Sequence, residues 1–239
     1  MARLQRVALA ANRLGRVVPA REPAERPVLR DLRFRALLGA PAWSRLPPAV
    51  RERFSKRLQP GAAVTYVGEI VESRKLWPGR VLAQLCRLIG APLPLYDDIG
   101  VPAVVTVTED AACAGQFWTR MYGRRRGFPQ VIHSSKRFAG PTGLEEYLGL
   151  GFGIALAVSA DTQALHFHSD HYFFALGHRR LRLPQWLAPG ALTISHVDRG
   201  AGWFAFVLSL QHPLFGELVS QTGLFRESCA LDARHANHD

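Results

Sequence analysis

Cysteine is scarce in this chain. Three are present in 239 residues, Cys86, Cys113 and Cys229, an odd number with no Cys-x-x-Cys spacing. That argues against a disulfide framework and fits a reducing, cytoplasmic setting. No apolar run reaches the roughly 18–20 residues that a membrane-crossing helix requires. The longest, around Leu148–Ala160, is interrupted by glycines and reads as a strand. The N-terminal stretch "MARLQRVALAANRLGRVVPAREPAERP" has arginines scattered through its apolar residues, so the uninterrupted apolar centre of a secretory signal is missing. Its Arg/Ala/Pro-heavy composition points to a bacterial, GC-rich source. Also missing are a P-loop, a Gly-x-Ser-x-Gly elbow, a His-Glu-x-x-His pair, an internal repeat and the βαβ alternation of a parallel nucleotide-binding sheet.

What is present is a globular composition, with 48% hydrophobic residues, in a chain long enough to bury a core without staples. The net charge is +11, and it is unevenly spread. Residues 1–57 hold 14 basic and 4 acidic residues; residues 58–239 hold 16 and 15. The basicity therefore belongs to the leader, not to the body of the fold. Residues 1–30 read as a basic flexible leader able to touch anionic surfaces nonspecifically, 31–228 as one α+β domain, and 229–239 as a tail.

"LRFRALLGAPAWSRLPPAVRERFSKRL" reads as two short helical pieces, the second opened by the double proline at 47–48. Val50, Phe54 and Leu58 then share one apolar face. "AAVTYVGEIVESR" is the first strand, and "WPGRVLAQLCRLIG" is the strongest helix, with Val81, Leu82, Leu85, Leu88 and Ile89 at helical spacing. From Val101 the chain becomes a series of short strands at about ten-residue spacing, with "SADTQ" and "DRGAG" as hairpin turns. The fold class this predicts is α+β: a long, curved, mostly antiparallel sheet, barrel-like or gripping the 79–89 helix in its concavity. Both arrangements enclose an apolar pocket.

Three clusters are candidates for chemistry. In "LHFHSDHY", His166, His168 and Asp170 share a strand face opposite Leu165 and Phe167. His-x-His can place two imidazoles on one metal, with a third ligand from His171, His178, His196 or His212. The same spacing equally describes the wet face of a hairpin tip with Ser169-Asp170 in the turn. "GLGFGI" lacks the Gly-x-Gly-x-x-Gly spacing of a dinucleotide site. Its Gly149, Gly151 and Gly153 would lie on one strand face and make room for sheet curvature, a packed helix or a ligand. In "FWTRMYGRRRGF", Trp118 and Arg120 share a face. If that face is inward, Arg120 is a buried cation that requires a carboxylate, and Glu145 or Glu146 can supply it. Such a pair could orient the acidic group of a ligand or serve the fold alone. "QHPLFGELVSQTGLF" adds His212 and Gln221, the former before a proline and so on extended backbone.

Several blocks in order, "YVGEI", "LCRLIGAPLP", "FWTRMY", "EEYLGLG", "LRLPQWLAPG" and "FAFVLSLQHPLFGELVSQTGLF", resemble the bacterial domain-of-unknown-function 4166 family over roughly residues 34–226. The matching positions are Trp118, Arg120, Glu146, His212, Pro213, Gly216 and Gly223. Members of that family stand alone or behind a saccharopine-dehydrogenase-like or other nucleotide-binding domain. The resemblance thus implies a domain and an oxidoreductase-type partner domain rather than a reaction.

Two functional expectations follow. The first is a pocket for a small apolar or amphipathic ligand, built with Trp118, Arg120, Glu146, His212 and Gln221. The second is an enzyme or enzyme accessory domain, metal-assisted at His166, His168 and Asp170 or linked to a nucleotide-binding partner. No particular cofactor is implied.

Overall fold

A computed structural model describes residues 29–228 apart from positions 60 and 178. The expected 229–239 tail lies outside the described residues, as does the expected basic leader except for its last two positions. Those two form a short strand β1 (Leu29–Arg30), paired with β2 (Lys56–Arg57). Between them run three short helices, α1 (Arg33–Leu38), α2 (Ala40–Arg45) and α3 (Pro48–Phe54), one more than the sequence predicts. Gly39 at φ +76° separates the first two, and Pro47-Pro48 opens the third.

The body is a closed antiparallel barrel, so of the two expected forms of the curved sheet, barrel-like or helix-gripping, the barrel is the one that forms. Its strands run β3 (Ala63–Lys75), β4 (Val101–Asp110), β5 (Gly115–Tyr122), β6 (Gln130–Arg137), β7 (Glu145–Gly149), β8 (Phe152–Ala160), β9 (Ala164–Leu176), β10 (Arg179–Arg182), β11 (Ala191–Gly200), β12 (Trp203–His212) and β13 (Gly216–Glu227). Each pairs with the next, except that β10 folds back on the second half of β9 while the first half pairs with β11. The ring closes where β13 pairs with β3, from Val219–Lys75 to Glu227–Tyr66. Closure removes the unpaired edges that an open sheet would expose.

Two stretches depart from the sequence reading for identifiable reasons. The stretch around Leu148–Ala160, expected as a strand, instead contains the turn of a hairpin formed by β7 and β8. Gly149, Leu150 and Gly151 all take positive φ, and two of these three are glycine, the residue that adopts that conformation without strain. Gly149, Gly151 and Gly153 all serve close approach as well: a Cβ at Gly149 would sit 2.4 Å from the Ile89 carbonyl oxygen, one at Gly151 2.8 Å from the Ala175 carbonyl oxygen, and one at Gly153 2.4 Å from the Phe173 ring. Conversely, Ser169-Asp170 is not a turn. β9 runs straight through, and Asp170 is the extra residue of a bulge between the pairs Leu156–Ser169 and Ala155–His171.

The core fills one end of the barrel. Phe34 and Phe54 from the helical segment enter that end and meet Phe167, with ring centroids 6.0 and 5.9 Å away, while Phe54 also meets His196 at 4.9 Å. The other end carries α4 (Trp77–Leu85) and the 3₁₀ turn Cys86–Ile89. One of the two expected arrangements had this helix gripped in the sheet's concavity. Instead it lies across the mouth: Gly79 and Ala83 are its buried positions, and Leu88 is 76% exposed. Gly79 is where the helix touches the barrel wall, since a Cβ there would fall 2.1 Å from the Leu218 carbonyl oxygen.

Candidate functional site

Strand alternation sends every second side chain inward. On β5 these are Gln116, Trp118, Arg120 and Tyr122, all buried, while Phe117 and Met121 are exposed. On β6 they are Ile132, Ser134 and Lys136; on β7, Glu146 and Leu148; on β11, Leu192, Ile194 and His196; on β12, Phe204, Phe206, Leu208 and Leu210. The members nearest α1–α3 belong to the solid core. Those nearer α4 face a cavity of about 390 Å³, within the range of about 300–1,000 Å³ common for small-molecule sites.

The cavity walls are almost wholly apolar. Tyr122, Ile132, Leu148, Phe152, Ile154, Leu192, Ile194, Phe206, Leu208 and Leu210 come from the strands; Leu82, Leu85, Cys86 and Ile89 come from α4 and the turn after it. Leu183, Leu187 and Pro189 of the β10–β11 connection complete the rim. Tyr172 lines the wall and donates its hydroxyl to the Gly190 carbonyl at 2.9 Å, which fixes that connection. The rim is exposed at Leu85 and Leu187.

The polar groups gather on the floor. Arg120, Ser134 and Glu146 face the cavity there. Arg120 donates to Ser134 Oγ at 3.1 Å and to Glu146 Oε1 at 3.2 Å. Directly behind them Lys136 donates to Glu146 Oε2 at 2.8 Å. Burial alone would raise the Glu146 carboxyl, but Lys136 and Arg120 overcome it and hold the group at about 2. Burial pulls the Lys136 ammonium down, with the Glu146 contact opposing. His196 lies below the floor, ringed by Phe54, Trp118, Phe204 and Phe206. Burial, with Arg53, Lys136 and Arg120 nearby, keeps its imidazole well below its ordinary pKa and hence neutral.

The expected residues are partly brought together. Arg120 and Glu146 meet at the cavity. Trp118 shares their face but sits one layer deeper, in the core, donating Nε1–H to Gln116 at 3.3 Å. Gln221 is buried beside the cavity in a narrow cleft with Tyr122 and Gln130. His212 lies at the β12–β13 turn, where its Nδ1 accepts the Leu214 N–H at 3.2 Å. Glu145 points to the outer face and meets Arg180 Nε at 2.6 Å. Lys136 and Ser134 were missed by sequence reasoning. The signal was there, since both follow Ile132 at the period of two that marks an inward face.

His166 and His168 share the outer face of β9, stacked with centroids 5.9 Å apart. Their ring nitrogens are already engaged: His166 with Ser195 Oγ at 2.7 Å and Asp161 at 3.0 Å, His168 with Ser159 Oγ at 2.9 Å and Thr193 Oγ1 at 3.3 Å. Asp170, displaced by the bulge, pairs with His171 at 2.6 Å. Among the described residues no three His, Cys, Asp or Glu side chains converge on one point.

The architecture is thus that of an up-and-down β-barrel, plugged at one end and hollow at the other. The chain belongs to the family described as Domain of unknown function (DUF4166), which it matches over residues 46–225. No curated protein and no solved structure matches it. Among the described residues no helix is long and apolar enough to cross a membrane.

Proposed function

We propose that this domain binds a small apolar or amphipathic molecule inside the barrel, between the Arg120–Glu146 floor and the α4 rim. The observation that carries this reading is the cavity itself. A closed barrel could be filled throughout with side chains, and half of this one is. The other half leaves about 390 Å³ ringed by leucine, isoleucine and phenylalanine. Apolar walls with a few convergent polar groups are the usual chemistry of a small-molecule site. Arg120, Ser134 and Glu146 supply orientation; the apolar wall supplies affinity, at about 25 cal/mol per Å² of apolar surface removed from water.

Native mass spectrometry of the purified protein tests this reading. A single organic mass above that of the polypeptide, released on denaturation, is the expected result. A bare polypeptide, unchanged after incubation with apolar and amphipathic compounds, contradicts it.

A further inference from the structure

The charges on the cavity floor do not match one for one. Arg120 and Lys136, with side chains 7% and 3% exposed, share one carboxylate, Glu146, itself 3% exposed. Among the described residues no other acidic side chain lines the cavity. Glu145 is committed to Arg180 on the outer face, and Asp31 and Glu109 to Arg33 at the plugged end. Arg120 offers five N–H donors. The described protein partners take two of them, and its Nε has none. A guanidinium so deeply buried calls for more negative charge than half a carboxylate.

Resting on the cavity reading above, we propose that the ligand is a single-chain amphiphile headed by a carboxylate. It enters head first. The head reaches Arg120 and Ser134, where the guanidinium edge suits a planar carboxylate. The chain lies along Ile154, Ile194 and Leu208 toward the rim. Glu146 has a defined part in this arrangement: it partly neutralises the two cations when the cavity is empty and competes with the incoming head for Arg120.

The test is isothermal titration of the full chain with dodecanoate, dodecan-1-ol and dodecylammonium, equal in chain and different in head. Dodecanoate is expected to bind at least tenfold more tightly than the alcohol. Arg120→Gln should abolish that preference. Glu146→Gln removes the carboxylate that competes for Arg120 and should tighten dodecanoate relative to dodecan-1-ol, widening the preference, whereas loss of a purely structural ion pair would weaken both alike. Equal affinity for dodecanoate and dodecan-1-ol, or tightest binding of dodecylammonium, overturns the carboxylate head while leaving an apolar binding cavity standing. Failure of all three to bind overturns the cavity reading itself. The comparison of heads on the unmodified protein needs no variant to fold.

Discussion

Lys136 Nζ stands 2.8 Å from one oxygen of Glu146 while Arg120 reaches the other at 3.2 Å, so one buried carboxylate on β7 is bound from both β6 and β5. Three adjacent strands are thereby tied through a single side chain. Removing it leaves two cations buried. Glu146→Ala should therefore destabilise the fold by about 3–5 kcal/mol in urea denaturation, the magnitude typical of breaking a buried pair from one side. Pairing that change with Lys136→Met should recover part of the loss, because one of the stranded charges is then gone.

Acid should act through two groups in different windows. Glu146 has a folded value of about 2, below the roughly 4.3 of an unfolded glutamate, so its contribution is present above about pH 4.3 and is lost as pH falls toward 2. His196 is also depressed in the fold, so below about pH 6.5 the unfolded chain takes up a proton that the native protein refuses. Stability should fall from pH 6.5 downward by up to about 1.4 kcal/mol per pH unit from this residue. His196→Phe, which suits the surrounding aromatic rings, should flatten the slope between pH 6.5 and 5. Melting temperatures of both proteins across that range provide the check.

Barrel closure depends on a close approach at Gly68. A Cβ there would lie 1.9 Å from the Leu224 carbonyl oxygen, on the strand that pairs with β3 to complete the ring. Backbone cannot step aside as a side chain can. Gly68→Ala should open the β3–β13 seam and cost about 3 kcal/mol or more, in the upper tail of single substitutions. Gly153→Ala should cost less, since its clash is with the Phe173 ring. Hydrogen exchange of the β13 amides would show whether the seam is where the first variant opens.

Much of this barrel can be read from alternation, and the limits are equally physical. The run of strands predicted from Val101 begins there, with β4 (Val101–Asp110), and continues to β13 (Gly216–Glu227). That Trp118 and Arg120 share a face of β5 follows from the period of two. The need for a carboxylate beside Arg120, with Glu145 and Glu146 as the candidates, follows from the cost of burying a cation. The hairpin at Leu150 was hidden because glycines at alternate positions look the same in a strand and in a turn. The bulge at Asp170 was hidden because one extra residue flips the facing of everything after it, and it sends Tyr172 into the cavity. Closure of β3 on β13 joins residues some 150 positions apart, which no local pattern encodes. The half-empty interior is likewise a property of packing. Trp118 and Phe206 look alike in sequence, yet one fills the core and the other lines a void.

The histidines of β9 should behave as surface polar residues. With both ring nitrogens of His166 and His168 engaged by neighbouring side chains, His166→Gln and His168→Gln should each change stability by less than about 1 kcal/mol. Stoichiometric zinc should leave the melting temperature of the unmodified protein where it was. A rise of several degrees that disappears in either variant would restore a metal site at this face.

The most direct measurement is a fluorescence titration of the neutral apolar dye N-phenyl-1-naphthylamine into the unmodified protein and into Leu208→Trp. Leu208 lines the cavity above its floor, so the larger side chain should fill the void rather than strain a packed core. Saturable binding at one dye per chain, lost in Leu208→Trp while the fold and melting temperature are kept, is the result this account predicts. Equal binding to both proteins, or none to either, would contradict a ligand site inside the barrel.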